Sequence, residues 1–303
     1  MINLETILSG INQGLLWALL ALGVFLTYRL LDFPDLTVEG SFALGGAVAA
    51  IMVSKGQNPF LAAVVSTLAG AGAGLVTGML HTKLKIPPIL SGILTMIALY
   101  SINLRVMGKS NIPLLRVKNV YSPLQELGLS GSIPSLIVGV IIVVAVAVII
   151  YWFFGTELGS AIRATGNNQN MARAQGINTS NMIILGLVIS NGMVALSGAL
   201  IAQYQSFADV QMGTGSIVIG LASLIIGEVL FGTRTFKRTL VSVSLGAIIY
   251  RIIIALVLKA GMDANDLKLF TAVTVAICLS MPMIKPAVAG FFHPGSKKAE
   301  GGN

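Results

Sequence analysis

Residues 159–178, GSAIRATGNNQNMARAQGIN, form a polar stretch between two long apolar runs, and the reading of the whole chain turns on them. Apolar residues recur there at helical spacing. Ala161, Ile162 and Ala164 precede Gly166, and Met171, Ala172 and Ala174 precede Gly176. This spacing predicts two short helices with a break at Gly166, Asn167 and Asn168. Arg163 and Arg173 make the loop positive, and positive loops beside membrane spans favour the cytoplasmic side. The expectation is a cytoplasmic docking knob; the plainer alternative is a solvated connector.

Outward from this loop the chain is membrane protein. Of 303 residues 55% are hydrophobic and only 10% charged, and the mean hydropathy is +0.89. Apolar stretches of about 20 residues, one bilayer crossing each, recur along most of the length. The expected fold is an all-α polytopic membrane protein of about nine transmembrane helices, near 6–28, 39–54, 59–80, 87–104, 134–154, 182–206, 216–232, 239–258 and 267–284. The first run has no basic residue ahead of it and exceeds a signal-peptide core, so it reads as a retained span. Residues 1–290 form one transmembrane domain with a cytoplasmic loop at 155–181 and an extracellular loop at 105–133. Residues 291–303 read as a polar cytoplasmic tail. The single cysteine, Cys278, lies in an expected span and excludes an intrachain disulfide.

The formal charge of +8 is scattered over short loops, which is an orientation signal and not a nucleic-acid surface. With the 159–178 loop inside, the amino terminus is outside and the carboxyl terminus cytoplasmic. Eleven basic residues then fall inside and seven outside.

The pattern G-x-A-I-R-A-x-G-x-N-x-x-x-A-R-x-x-G-I-N resembles the cytoplasmic loop of permease subunits of ABC importers for branched-chain amino acids, ribose and related solutes. The matching positions are Gly159, Arg163, Ala164, Gly166, Asn168, Ala172, Arg173, Gly176, Ile177 and Asn178. The resemblance implies that these residues carry the coupling helix, which docks into a separate ATPase chain. Gln169 and Asn170 depart from the family, where a proline and an acidic residue are common, and this bears on the choice of ATPase.

Further landmarks concern the membrane region. The segment LDFPDLTVEGSFALGGA, 31–47, combines Pro34 with Gly40, Gly45 and Gly46. Irregular backbone is expected there, and at membrane depth it survives only inside protein or along a cavity. It resembles the amino-acid side of the family, particularly transporters linked with aromatic amino acids. An interfacial turn is the alternative. Phe207-Ala208-Asp209-Val210 with Gly215-Ser216 echoes Phe33-Pro34-Asp35-Leu36 with Gly40-Ser41, as inverted repeats would. Gly70, Gly74 and Gly78 are spaced for close helix packing. Glu228 and Arg251 fall within spans and need protein partners or water. An interfacial carboxylate beside Arg234 and Lys237 is the reading for Glu228; Arg251 suits an ion pair or an inner wall.

Catalytic chemistry is missing from the sequence. Gly227 to Gly232 has the spacing of a phosphate loop, but Thr233 stands where the lysine is required. His81 and His293 lie far from Cys278, so no metal site is expected. The resemblance implies a transport subunit and not an enzyme, with no cofactor of its own and with ATP and magnesium on the partner ATPase. It also implies an extracytoplasmic solute-binding protein, a second permease chain, here read as a homodimer, and a prokaryotic inner membrane. Phe33, Pro34, Glu39, Gly40, Thr95, Asn103, Ser190, Asn191 and Arg251 are the expected path residues. Their mostly neutral character suits a neutral or zwitterionic solute, best an aromatic or branched-chain amino acid. A sugar or nucleoside, or an ATP-independent carrier, is the alternative.

Overall fold

The computed structural model describes residues 4–115, 117–129 and 131–261, with 266, 269–274, 276 and 280 beyond them. The first apolar run forms α1 (Leu4–Phe25), whose end loosens into a π turn over Leu26–Leu30. A non-helical segment, 31–36, leads to α2 (Thr37–Ser54). Then come α3 (Pro59–Thr82) and α4 (Pro88–Met107). Both open on proline, whose missing N–H costs nothing at a helix start, and Asn58 caps α3 by accepting from the Phe60 amide at 2.9 Å.

The short α5 (Ser122–Glu126) and the long α6 (Ile133–Phe153) precede the polar loop, which folds as α7 (Glu157–Asn167) and α8 (Gln169–Ala174). The second half is α9 (Thr179–Gln205), α10 (Ser216–Phe231) and α11 (Phe236–Lys259). Among the described residues seven helices are long and apolar enough to cross a membrane: α1 with its π turn, α2, α3, α4, α6, α9 and α11. The helix α10 is apolar but shorter. The all-α polytopic fold therefore holds, with helices at eight of the nine expected spans. The ninth, 267–284, lies largely outside the described residues, as do Cys278, His293 and the 291–303 tail.

Two departures from the sequence reading concern backbone. The strands β1 (Asn111–Pro113) and β2 (Phe207–Asp209) pair antiparallel, with Ile112 opposite Ala208. They tie the long 105–133 loop to the end of α9. In addition, α2 is continuous through Gly40, Gly45 and Gly46. Those glycines do not loosen the helix; Gly45 lies against the Ala195 carbonyl and Gly46 against Met212. The irregular backbone is confined to the π turn and 31–36.

The core is built around α1, in which every residue from Leu15 to Leu22 is buried. A helix apolar on all sides belongs at the centre of a bundle, and α6, α9, α10 and α11 enclose it. The glycine seam of α3 packs inside the chain: Gly70 meets the Asn191 carbonyl, Gly74 the Leu187 carbonyl and Val188, and Gly78 meets Ile184. Small residues let these two backbones touch. Across the molecule Gly10 and Gly14 of α1 meet Ile252 and Ile248 of α11.

These two seams are copies. Gly10, Gly14, Gly74 and Gly78 stand 174 positions before Ile184, Val188, Ile248 and Ile252, the residues that make the exchanged contacts. The Ser190 hydroxyl donates to the Gly23 carbonyl and the Ser197 hydroxyl to the Leu16 carbonyl, both at 2.7 Å. Leu16 and Gly23 again stand 174 positions before Ser190 and Ser197. Asp35 accepts from the Thr37 amide and Asp209 from the Gln211 amide, the same turn at the same shift. Contacts that exchange in this way relate the halves by a pseudo-twofold, the pattern of inverted repeats.

Candidate functional site

The segment 31–36 alternates, with Leu31, Phe33 and Asp35 buried and Asp32 and Pro34 exposed. Asp35 is 2% exposed, with its Oδ1 accepting from the Thr37 amide at 2.9 Å and its Oδ2 from Asn191 Nδ2 at 2.7 Å. Asn191 sits near the middle of α9 and accepts from the Ser41 hydroxyl at 2.6 Å. The Thr37 hydroxyl meets Thr77 at 2.7 Å, and Thr77 donates to Thr95 at 2.8 Å. Four helices are thus stitched to the bent segment by side chains that are all buried. Each bond contributes about 0.5–1.5 kcal/mol net, and an orphaned partner costs about 1–3 kcal/mol.

This network divides the expected path residues. Thr95, Ser190 and Asn191 are fully engaged inside it or in the repeat contacts, and Phe33 is buried edge-on to the His81 ring at 5.2 Å between centroids. Pro34 is exposed. Glu39, Gly40 and Asn103 come together elsewhere. They line a cavity of about 430 Å³ between α2, α4 and the turn before α10, with Met96, Tyr100 and Thr214 on its walls. Asn103 donates to the Gly40 carbonyl at 3.3 Å, and Glu39 Oε1 accepts from the Gly215 amide at 2.9 Å. Gly215 opens α10 and Glu39 lies in the first turn of α2, so one carboxylate serves the positive ends of two helices. Tyr100 and Thr214 were not singled out in the sequence, since nothing in their local pattern marks a cavity wall.

Arg251 lies apart from that cavity. Its guanidinium stacks over the Trp17 ring, 4.0 Å from the centroid, and among the described residues it makes no ion pair. Glu228 pairs with Arg29 of the π turn, 3.3 Å away, and not with Arg234 or Lys237 as the sequence reading had it.

The polar loop folds as two helices, with the break at Asn168 alone. Asn168 is extended and caps α8, accepting from the Met171 amide at 3.0 Å. Gly166 is no breaker: it lies within α7, pressed on the Leu30 carbonyl of the π turn. Gly159 is packed on Phe153 and Phe154. Arg163 fastens α7 back to α6 by donating to the Phe154 carbonyl at 2.8 Å, with its guanidinium 5.6 Å from the Phe236 ring centroid. Ala164 is half-buried and Ala172 fully buried.

Gly176, at φ +80°, closes α8 in the left-handed region that suits glycine. There the half-buried Ile177 donates its amide to the Ala172 carbonyl at 3.0 Å. Asn178 caps α9 by accepting from the Asn181 amide, and Arg173 donates to Thr179 at 2.9 Å. Most of the signature residues therefore build the knob's frame. Outside that frame it displays Gln169, Asn170, Met171 and Gln175, all exposed, beside the exposed Asn167 and Arg173.

Comparison with known proteins agrees with this architecture. Residues 6–280 match the family described as branched-chain amino acid transport system / permease component. A tyrosine transport system permease protein of Clostridioides difficile is 42% identical over 274 residues, 90% of each chain. A probable branched-chain amino acid transport permease protein, LivH, of Methanocaldococcus jannaschii is 27% identical over 78% of this chain and 77% of its own. A fructose import permease protein, FruF, of Bifidobacterium longum is 26% identical over 82% of this chain and 69% of its own. No solved structure matches the chain. With nearly the whole length matched, the chain belongs to the family of permease components of ABC importers of the branched-chain amino acid and ribose type.

Proposed function

We propose that this permease imports a neutral, zwitterionic amino acid, with an aromatic one such as tyrosine as the best fit, and that ATP hydrolysis on a separate ATPase drives it. The observation that carries the reading is the contact of Gly166 with the Leu30 carbonyl. Through it a cytoplasmic knob touches the π turn, from which the chain bends inward through Asp35 to Glu39 and the cavity. Movement of a docked α7–α8 unit would be passed along this path, as alternating access requires. The relative at 42% identity is named for tyrosine transport, which supports an amino-acid cargo. The cavity's mixture of one carboxylate, an amide and apolar walls suits such a solute.

The same reading puts the knob on the cytoplasmic side of a prokaryotic inner membrane, with the amino terminus outside and the carboxyl terminus inside. It adds a second permease chain across a central path, homodimeric in the simplest form, and a solute-binding protein at the outer face. ATP and magnesium belong to the ATPase.

Two measurements test this. Purification from native membranes in mild detergent is expected to bring an ATPase with the chain, and uptake is expected to be competed by tyrosine and tryptophan. Competition by ribose alone would remove the amino-acid cargo. A chain that purifies by itself and moves solute without ATP would remove the importer.

A further inference from the structure

The contact between Gly166 and the Leu30 carbonyl does not close the surface where α7 meets the π turn. Beside it opens a cavity of about 560 Å³, within the range of about 300–1,000 Å³ usual for small-molecule sites. Its polar groups come from both sides of the contact: Tyr28, Arg29 and Asp32 from the membrane chain, Arg163 and Asn167 from α7. Tyr28, Asp32 and Asn167 are exposed, and the Arg29 side chain is 57% exposed. Among the described residues the side chains of Asp32 and Asn167 make no hydrogen bond and no ion pair. Arg29 uses Nε on Glu228 at 3.3 Å, and Arg163 uses Nη2 on the Phe154 carbonyl at 2.8 Å and Ser160 at 3.4 Å. A guanidinium carries five N–H donors, so both keep donors to offer.

Two guanidinium groups stand against the carboxylates of Asp32 and Glu228, so the region is neutral overall and still presents both signs. A lone anion or a lone cation meets a like charge there, whereas a ligand carrying both charges finds a partner for each. We infer that this cavity is a cytoplasmic feedback site for the transported amino acid, its ammonium paired with Asp32 and its carboxylate with Arg29 and Arg163. The inference rests on the proposed function for the side of the membrane and for the cargo. Tyr28 and Leu30 form the wall for the rest of the solute. A free solute is favoured over a lipid headgroup of the same charges, because the π turn continues α1, which α6, α9, α10 and α11 enclose, and acyl chains need a lipid-facing wall. A solute bound in this way ties Asp32 and the π turn to α7 at their backbone contact. It therefore holds the coupling contact in place and slows the cycle when the imported solute accumulates.

The test uses the full chain with Asn167→Cys as reporter and Cys278→Ser removing the other thiol, in bilayers free of primary-amine lipids. L-Tyrosine is expected to slow modification of the reporter. The concentration that halves the rate should rise about tenfold in Asp32→Asn and in Arg29→Gln, each having lost one charge-assisted contact. Asparagine tolerates the left-handed backbone that Asp32 adopts, at φ +51°, and Arg29→Gln gives up only a screened surface pair. Tyramine and 3-(4-hydroxyphenyl)propanoate, each with one of the two charges, should protect about tenfold less well or worse. An unreactive thiol, equal protection by the three compounds, protection that both variants retain, or protection that needs phosphatidylethanolamine would each overturn the site. In the importer reconstituted with its ATPase, tyrosine preloaded on the ATP side is expected to slow tyrosine uptake in the wild type, and to slow it less in Asp32→Asn, each rate being divided by that into an empty lumen. No uptake into the empty lumen removes the cargo reading, and the thiol result then decides the site by itself. Uptake that preloaded tyrosine leaves unslowed removes the feedback site alone.

Discussion

Gly166 of α7 lies against the carbonyl of Leu30, the last residue of the π turn, with no room between them for a Cβ. The knob and the bent membrane segment are thus in backbone contact at one point. Gly166→Leu must push α7 away from the π turn, at an overpacking cost of about 1–3 kcal/mol. The expected outcome is that solute uptake falls further than co-purification of the ATPase does. The displayed residues of α8 are not touched by the change, whereas the contact through which the proposed coupling would pass is. Gly166→Ala should act in the same direction and more weakly, and uptake beside ATPase recovery, measured on one preparation, checks both.

Met171 is 50% exposed in the middle of α8, among the exposed Gln169, Asn170 and Gln175, a large apolar side chain left open to the surroundings. If the knob docks, Met171→Asp places a charge in the interface and is expected to cost on the order of 2 kcal/mol or more, over tenfold in ATPase affinity. Thermal stability of the permease alone should be unchanged. Arg163→Ala should do the reverse. It removes the bond to Phe154 and the contact with Phe236, so the permease itself loses stability before docking is affected. Detergent melting and pull-down of the ATPase separate the two variants.

Asn191 holds both the Asp35 carboxylate and the Ser41 hydroxyl. Asn191→Leu removes the donor to one and the acceptor from the other, all within the buried core, and is expected to destabilise by about 1–3 kcal/mol for each orphaned group. The repeat supplies a matched control. Ser190→Ala and Ser197→Ala remove equivalent 2.7 Å bonds to the Gly23 and Leu16 carbonyls, and each should cost a similar, smaller amount of about 0.5–1.5 kcal/mol. Unequal losses in detergent melting would argue that the two halves are not energetically equivalent.

The span pattern was open to reading because each crossing demands a run of apolar residues, and runs are one-dimensional. The echo of Phe33-Pro34-Asp35-Leu36 in Phe207-Ala208-Asp209-Val210 was visible for a similar reason: both aspartates make the same local turn. Gly166 was misread as a breaker because glycine serves equally for a bend and for close approach, and only the neighbour decides which. Thr95, Ser190 and Asn191 raised the same difficulty. A polar residue in an apolar helix announces a partner or a path, and whether it is Thr77, Gly23 or Asp35 rather than solute depends on which helix lies opposite. The π turn at Leu26–Leu30 left no mark in composition at all, and the β1–β2 pair is too short to alternate.

Arg251 and Glu228, the two charges within the expected spans, are held in different ways, and their variants should differ. Glu228 lies 3.3 Å from an Arg29 side chain that is 57% exposed, and the pair lacks hydrogen-bond alignment at Oε1. Such a pair is screened and contributes about 0–1 kcal/mol. Glu228→Gln is therefore expected to be nearly neutral, and any effect should shrink at high salt. Arg251 instead rests on Trp17 at 4.0 Å, where a partly desolvated cation over an indole gains about 0.5–2 kcal/mol. Trp17→Leu strands the guanidinium and should cost more than Arg251→Leu, which removes cation and need together. A double-mutant cycle in detergent melting measures the coupling directly. A coupling near zero would show that the stack carries no energy and would return Arg251 to consideration as a wall of the path.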